Sequence, residues 1–195
     1  MTQKSRGRSS VEIFPLTPDR WADIDTLFGE HGAGGCWCMW WRLTDEQYHK
    51  QVGQVNKRAF KKIVNAGAMP GVLAYIGKQP AGWCSIAPRE QFGRLERSPL
   101  LKRVDDKPVW AIVCYYVDRL FRGQGLMEHL TRGAIELASD QGARIIEAYP
   151  VEITENFSPS QAYTGTVSVM RNIGFVEVLR RSPDRPIMRY YIKQL

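Results

Sequence analysis

Cysteine is scarce in this 195-residue chain, which carries only Cys36, Cys38, Cys84 and Cys114. Four scattered thiols do not make a secreted disulfide framework. Long apolar runs are missing as well. The longest, residues 109–117, is less than half of the roughly 20 residues a membrane helix needs, so no spanning segment is expected. Residues 1–10 are polar and basic and open into no apolar stretch, which argues against a secretory leader. A cytoplasmic enzyme or binding protein remains. No run of five or more Lys/Arg occurs, and no helix reads as a continuous basic stripe of the kind that tracks phosphates.

What is present fits a soluble globular chain: 44% hydrophobic and 24% charged residues, enough to bury a sizeable core. The formal charge is +7, from 27 Lys and Arg against 20 Asp and Glu. Lys4, Arg6 and Arg8 carry three of those charges in a Ser/Gly-rich start, so residues 1–10 read as a disordered basic tail and residues 11–195 as one domain. The balance suits a phosphate-bearing small molecule. It does not demand nucleic acid.

Cys36 and Cys38, with His31 and His49 on either side, can be drawn as a zinc site. Structural zinc uses two well-spaced Cys/His pairs, and a single C-x-C with loose histidines lacks them. No metal is expected. The Trp-rich stretch 36–41 reads instead as folded onto the core, with Cys84 and Cys114 as buried free thiols in strands.

Alternation predicts a first strand over residues 11–16. Pro18 and Asp19 then start a helix marked by Trp21, Ile24, Leu27 and Phe28 at helical spacing, ending near residues 29–35. Thr44 and Gln47 resemble a capping box, and helix-forming sequence runs on to about residue 65. Residues 72–76 and 82–87 read as a hairpin around a turn at 77–80. The charged stretch 88–108 has no clear period and reads as an exposed loop. Residues 109–117 are apolar on both faces and must form a covered, central strand. Leu126, Leu130, Gly133, Ala134, Leu137 and Ala138 mark one helix face, ended by Gly142. A strand at 144–149, a helix at about 164–173 ended by Gly174, and strands at 175–179 and 187–192 close the chain. Strand–helix–strand order implies a crossover connection. The whole is a three-layer α/β or α+β domain with a mixed central sheet flanked by helices.

Between the central strand and the long helix lies Asp118-Arg119-Leu120-Phe121-Arg122-Gly123-Gln124-Gly125-Leu126. Glycines at such a junction let the backbone turn tightly and aim helix N-terminal N–H groups outward, where the dipole favours an anion. Arg122 adds a positive fork. These features suit a pyrophosphate cradle, though an ordinary βα turn uses glycines in the same way. A Walker loop is excluded because no Gly-Lys-Ser/Thr occurs, and the Rossmann fingerprint wants a third glycine and an opening strand.

At these residues the sequence resembles the GNAT superfamily of acyl-CoA-dependent N-acyltransferases. The family pattern, [Q/R]-x-x-G-x-[G/A] after a strand and before a long helix, reads here as Tyr115-Tyr116-Val117 followed by Arg122-Gly123-Gln124-Gly125-Leu126-Met127. The element order over residues 11–195, including Gly174-Phe175, is similar to that fold. The resemblance implies that the backbone of Tyr115 and Val117 bonds the pantetheine arm of acetyl-CoA. It implies that the amides of Arg122, Gly123, Gln124, Gly125, Leu126 and Met127 hold the pyrophosphate, and that strands 109–117 and 144–149 splay apart. An amine then attacks the thioester directly, through a tetrahedral intermediate whose oxyanion needs a donor.

Two positions depart from the pattern. Met127 stands where relatives have Gly or Ala, and Met170 where many have a Tyr that protonates the leaving thiolate. Tyr163, near the place of a CoA-contacting Asn in relatives, is a candidate for cofactor contact or proton donation; its other reading is an aromatic packed on the sheet. Amine attack needs a base. Glu147, flanked by Ile146 and Ala148, and Glu152 are candidates, with a satisfied structural carboxylate as the alternative for Glu147. Trp37, Trp40 and Trp41 either wall the acceptor pocket or pack in the core.

Three readings follow. The first is an N-acetyltransferase acting on acetyl-CoA and an unidentified amine. The second is a non-catalytic CoA-binding regulatory module on the same fold, and the third a nucleic-acid binder using the basic tail and exposed tryptophans. A homodimer stays open.

Overall fold

In the computed structural model, residues 10–30, 33–153 and 159–193 are described. The basic tail (apart from Ser10) and His31 lie outside them. Strand β1 (Val11–Pro15) leads through a 3-10 turn into helix α1 (Trp21–Phe28). Helices α2 (Asp45–Gln51) and α3 (Gln54–Asn65) precede strands β2 (Gly71–Ile76) and β3 (Gln79–Pro88). A short helix α4 (Gly93–Arg97), strand β4 (Trp110–Val117), helix α5 (Leu126–Asp140) and strand β5 (Ile145–Ala148) follow. Helix α6 (Val167–Ile173) and strands β6 (Val176–Arg180) and β7 (Pro186–Tyr191) complete the order.

The strands form one sheet in the order β1-β2-β3-β4-β5-β7-β6. Among these seven strands β4 and β5 pair in parallel and the other pairings are antiparallel. The doubly apolar β4 sits in the centre, as its sequence requires. Helix α5 lays Leu126, Leu130, Ala134, Leu137 and Ala138 on one face of the sheet. A fully buried Leu such as Leu130 contributes about 1.5–3 kcal/mol. Gly133 permits the close approach to β1: a Cβ there would lie 2.3 Å from Ile13 Cγ2. The opposite face is covered by α1, α3 and the Trp-rich segment, whose Trp37, Cys38 and Met39 are buried with Trp21, Phe60 and Trp83.

Two expectations need correction. Helix-forming sequence from 44 to 65 does not make one helix. It breaks at Gly53, whose φ of 84° is incompatible with helix continuation and whose N–H goes to Gly35 O at 2.9 Å. The Thr44–Gln47 capping box does form. The second correction concerns residues 88–108, which are not an exposed loop. Phe92, Leu95 and Leu101 are buried with Trp41, Val113 and Tyr149 in a third apolar cluster.

That segment is also anchored by buried charge. Arg89 is 1% exposed and donates to Glu147 Oε1 at 3.1 Å, to Glu96 at 3.1 Å, to Leu101 O at 2.8 Å and to the Tyr149 hydroxyl. Glu147 Oε2 accepts from Arg189 Nε at 2.9 Å, and Arg189 binds Asp105 through two further contacts of 2.8 and 2.9 Å. Buried ions are tolerated only when paired and hydrogen-bonded, and here every charge has a partner.

Candidate active site

The site begins with a mismatch in strand length. Strand β5 pairs with β4 only through Trp110↔Ile146, Ala111↔Glu147 and Ile112↔Ala148, whereas β4 continues to Val117. Beyond Ile112 the two strands part. At the same place β4 carries a bulge against β3: Cys114 opposes Ser85 and Ile112 opposes Ile86, leaving Val113 extra. The bulge resets side-chain alternation. Tyr115 consequently faces α5, where its hydroxyl meets Thr131 Oγ1 at 2.7 Å. Cys114 and Tyr116 turn to the face covered by α1 and the Trp-rich segment.

The gap opens into a cavity of about 850 Å³. Its lining includes Tyr115, Tyr116 and Val117 from β4, then Arg122, Gly123, Gly125, Leu126 and Met127. Gly123 and Gly125 have φ of 74° and 77°, the left-handed region that glycine occupies without strain. They swing the chain so that the first turn of α5, with N–H groups lacking intrahelical acceptors, fronts the cavity. Asp118 steadies the approach by accepting from Leu120 N at 2.8 Å. Arg122 Nε donates to Val117 O at 3.1 Å, tying the loop to the end of β4. Gln124 is not in the lining; its side chain turns back to Leu120 O at 3.3 Å. Met127 both lines the cavity and packs on the α5 core cluster, so its bulk is partly turned inward.

A second cavity, of about 350 Å³, adjoins the first and shares Tyr115, Tyr116 and Tyr163 with it. Cys36, Cys38, Trp40, Trp41 and Tyr48 contribute to its other walls, with Cys114. Four of the titratable groups here are pushed upward. Cys38 lies well above the ordinary thiol range, first through its hydrogen bond with Cys114 and then through burial; Trp83 Nε1 donates to its sulfur at 2.9 Å. Burial raises the Cys36 thiol and, with Cys36 beside it, pushes the Tyr48 phenol up to about 12. Burial also raises Tyr163, against the pull of Arg185. Among the described residues no cluster of three or more His, Cys, Asp or Glu is placed to hold a metal.

Tyr163 therefore lies where the two cavities meet, in the 3-10 stretch Pro159–Thr164. Glu147 does not reach them. It is 1% exposed, lines neither cavity, and has both oxygens occupied by Arg89, Arg189 and the Tyr149 hydroxyl at 2.6 Å. The geometry is that of the satisfied structural carboxylate. Glu152 pairs with Arg180 at 3.0 Å. Met170 is fully buried in the core cluster that includes Tyr115. The tryptophans divide: Trp37 is core, whereas Trp40 and Trp41 line the second cavity. Tyr48 and Cys114 as cavity walls were not singled out from sequence, and Tyr48 carried a signal in its position on the α2 face four residues after the Thr44 cap.

The Acetyltransferase (GNAT) family model matches residues 37–163, well over half of the chain. The chain belongs to the GNAT acetyltransferase family. The fold of this GNAT protein agrees with solved structures. A GNAT-family acetyltransferase from Listeria monocytogenes aligns with a TM-score of 0.58 and 12% identity, over 96% of this chain and 98% of that one. A mosquito arylalkylamine N-acetyltransferase-like protein gives 0.57 and 12%, over 94% and 100%. The PaiA N-acetyltransferase of Thermoplasma acidophilum, solved in complex with coenzyme A, gives 0.52 and 12%, over 94% and 99%. At such identities the likeness is one of fold. A search of curated proteins by sequence finds no match. Among the described residues, no helix of this GNAT protein is long and apolar enough to cross a membrane.

Proposed function

We propose that this GNAT protein transfers an acetyl group from acetyl-CoA to an amine. One observation carries the reading: the parting of β4 from β5 exposes strand backbone beside a glycine loop that feeds a helix N-terminus, all within one cavity. An extended pantetheine arm would add to the free edge at Tyr115 and Val117 as a further strand. The loop from Arg122 to Met127 would face the pyrophosphate, with helix N–H groups and the Arg122 guanidinium matched to its charge.

Bound acetyl-CoA supplies an activated acyl carbon: the amine nitrogen forms the new C–N bond, the C–S bond breaks, the nitrogen loses a proton and the CoA sulfur gains one. The chain's part is positioning, which alone lowers such barriers substantially, together with Tyr163 as the donor to the sulfur. A part-exposed phenol shifted upward by partial desolvation and placed between the cavities suits that role. Four free thiols accord with a reducing, cytoplasmic compartment.

Thermal denaturation with CoA and acetyl-CoA, followed by thiol release with an amine panel, tests the reading. Ligand at about 100 Kd stabilises the fold by roughly 2.7 kcal/mol. The absence of both stabilisation and thiol release would remove it. Met170, which has no proton to give where many relatives have one, favours a second reading of a CoA-binding module without turnover. Stabilisation by CoA with no thiol release from any amine selects that one.

A further inference from the structure

The second cavity is walled by aromatic rings. Trp40 and Tyr48 meet edge to face with centroids 4.9 Å apart and planes at 85°; Phe28 and Tyr116 do so at 5.4 Å and 72°. Trp40 is fixed rather than free. The Arg94 guanidinium lies 3.6 Å from its ring centroid, donates to Trp40 O at 2.8 Å and is held from outside by Asp45 at 2.6 Å. At about 350 Å³ the space is at the small end of ligand pockets. It opens on the first cavity at Tyr163, the side from which an acceptor would reach the thioester.

We infer that the acceptor is a small aromatic amine, one or two rings bearing the reacting nitrogen, seated by its ring in the second cavity. The inference rests on the acetyl-transfer reading and names its substrate class. A ring entering this box gains offset or edge-to-face contacts with Trp40, Tyr48 and Tyr116, beyond the area it buries. A polyamine or a lysine-bearing peptide gains none of this. The charges that bear on the cavity walls are cationic: Arg94 on Tyr48 and Tyr163, Arg185 on Tyr163, and Arg42 on Cys38. Among the described residues no carboxylate lines the cavity. A second positive charge on the acceptor would therefore be desolvated without a partner, which is costly.

The decisive experiment compares kcat/KM of the wild-type protein for 2-phenylethylamine and tryptamine against hexylamine, spermidine and a lysine-containing peptide. An advantage of about tenfold or more for the aromatic amines is expected, the scale of an added aromatic contact. Trp40→Ala should raise KM for 2-phenylethylamine about tenfold and leave KM for acetyl-CoA unchanged, with Trp40→Phe recovering most of the loss. The wild-type panel decides the matter even if Trp40→Ala fails to fold. Faster turnover of spermidine or the peptide would overturn the substrate class while leaving acetyl transfer standing. So would a CoA complex that neither binds nor acetylates the aromatic amines. Absence of any stabilisation by CoA would overturn the acetyl-transfer reading, and this inference with it.

Discussion

Replacing Glu147 by Gln separates a structural carboxylate from a catalytic one. The side chain is buried and joins Arg89, Arg189 and Tyr149 through contacts of 3.1, 2.9 and 2.6 Å. The amide keeps the shape but removes the charge that both guanidiniums face. Breaking a buried ion pair by removing one partner costs about 3–5 kcal/mol. Arg189 retains Asp105, and Arg89 retains Glu96, so the lower end applies. A loss of about 3 kcal/mol corresponds to a fall in Tm of roughly 6–12 °C for a chain of this size. Urea unfolding should show a lower midpoint at an unchanged m value. The Tm rise produced by CoA should match that of wild type, and the pH–rate profile should keep its acidic limb. Stability within about 1 kcal/mol of wild type, together with a flattened acidic limb, would refute the reasoning and restore Glu147 as the base.

Arg122→Ala should weaken CoA binding about 10–150-fold, the worth of a charged hydrogen bond, measured by calorimetric titration; unchanged affinity would take Arg122 out of the loop's function. Gly125→Val places a β-branched residue at a φ of 77°, where L residues are strained, and should abolish stabilisation by CoA although no neighbour lies within 4 Å of a Cβ there. Tyr163→Phe should lower kcat and change only the alkaline limb of the pH–rate profile, leaving CoA affinity within about threefold, since the donated proton rather than the ring is removed. Asp105 is lowered from the ordinary 3.8 to about 2, chiefly by its hydrogen bonds from Arg189. A carboxyl depressed in the folded state stabilises it above the unfolded pKa, and that stability is lost as pH falls from about 4 towards 2. Asp105→Asn should make stability flatter across that window in acid titrations.

Local patterns made the frame readable. The doubly apolar run at 109–117 gave a central strand, the Leu126 to Ala138 face gave a long helix, and Gly123 and Gly125 marked the turn between them. Each of these is set by residues within one or two turns of one another. The stretch 88–108 misled because its order comes from partners far away in sequence: Arg89 lies 58 residues from Glu147, and Asp105 lies 84 from Arg189. Charged residues in an aperiodic stretch look solvated until their counter-ions are known. The same remoteness hid the role of Glu147, whose isolation between apolar neighbours signals burial but not which charges share it. Gly53 was visible in the sequence; only its positive φ, demanded by the bond to Gly35, revealed that it ends a helix. Tyr48 and Cys114 became cavity walls through tertiary packing that brings residues 36–48 over β4.

The extra residue at Val113 has an arithmetic consequence. Side chains on a strand alternate, so which of two faces a residue serves depends only on whether an odd or even number of positions separates it from a fixed reference. Pairing with β5 fixes that reference at Ile112, and the bulge adds one to the count for everything downstream. Deleting Val113 would leave both faces as they are, because the strand would then alternate simply; pairing the same residues without a bulge would instead exchange the places of Tyr115 and Tyr116, sending the first away from Thr131 and the second into the space beneath α5. Composition and charge would not change, yet both cavities would lose their shared wall. The location of the site is thus written in the parity of one strand.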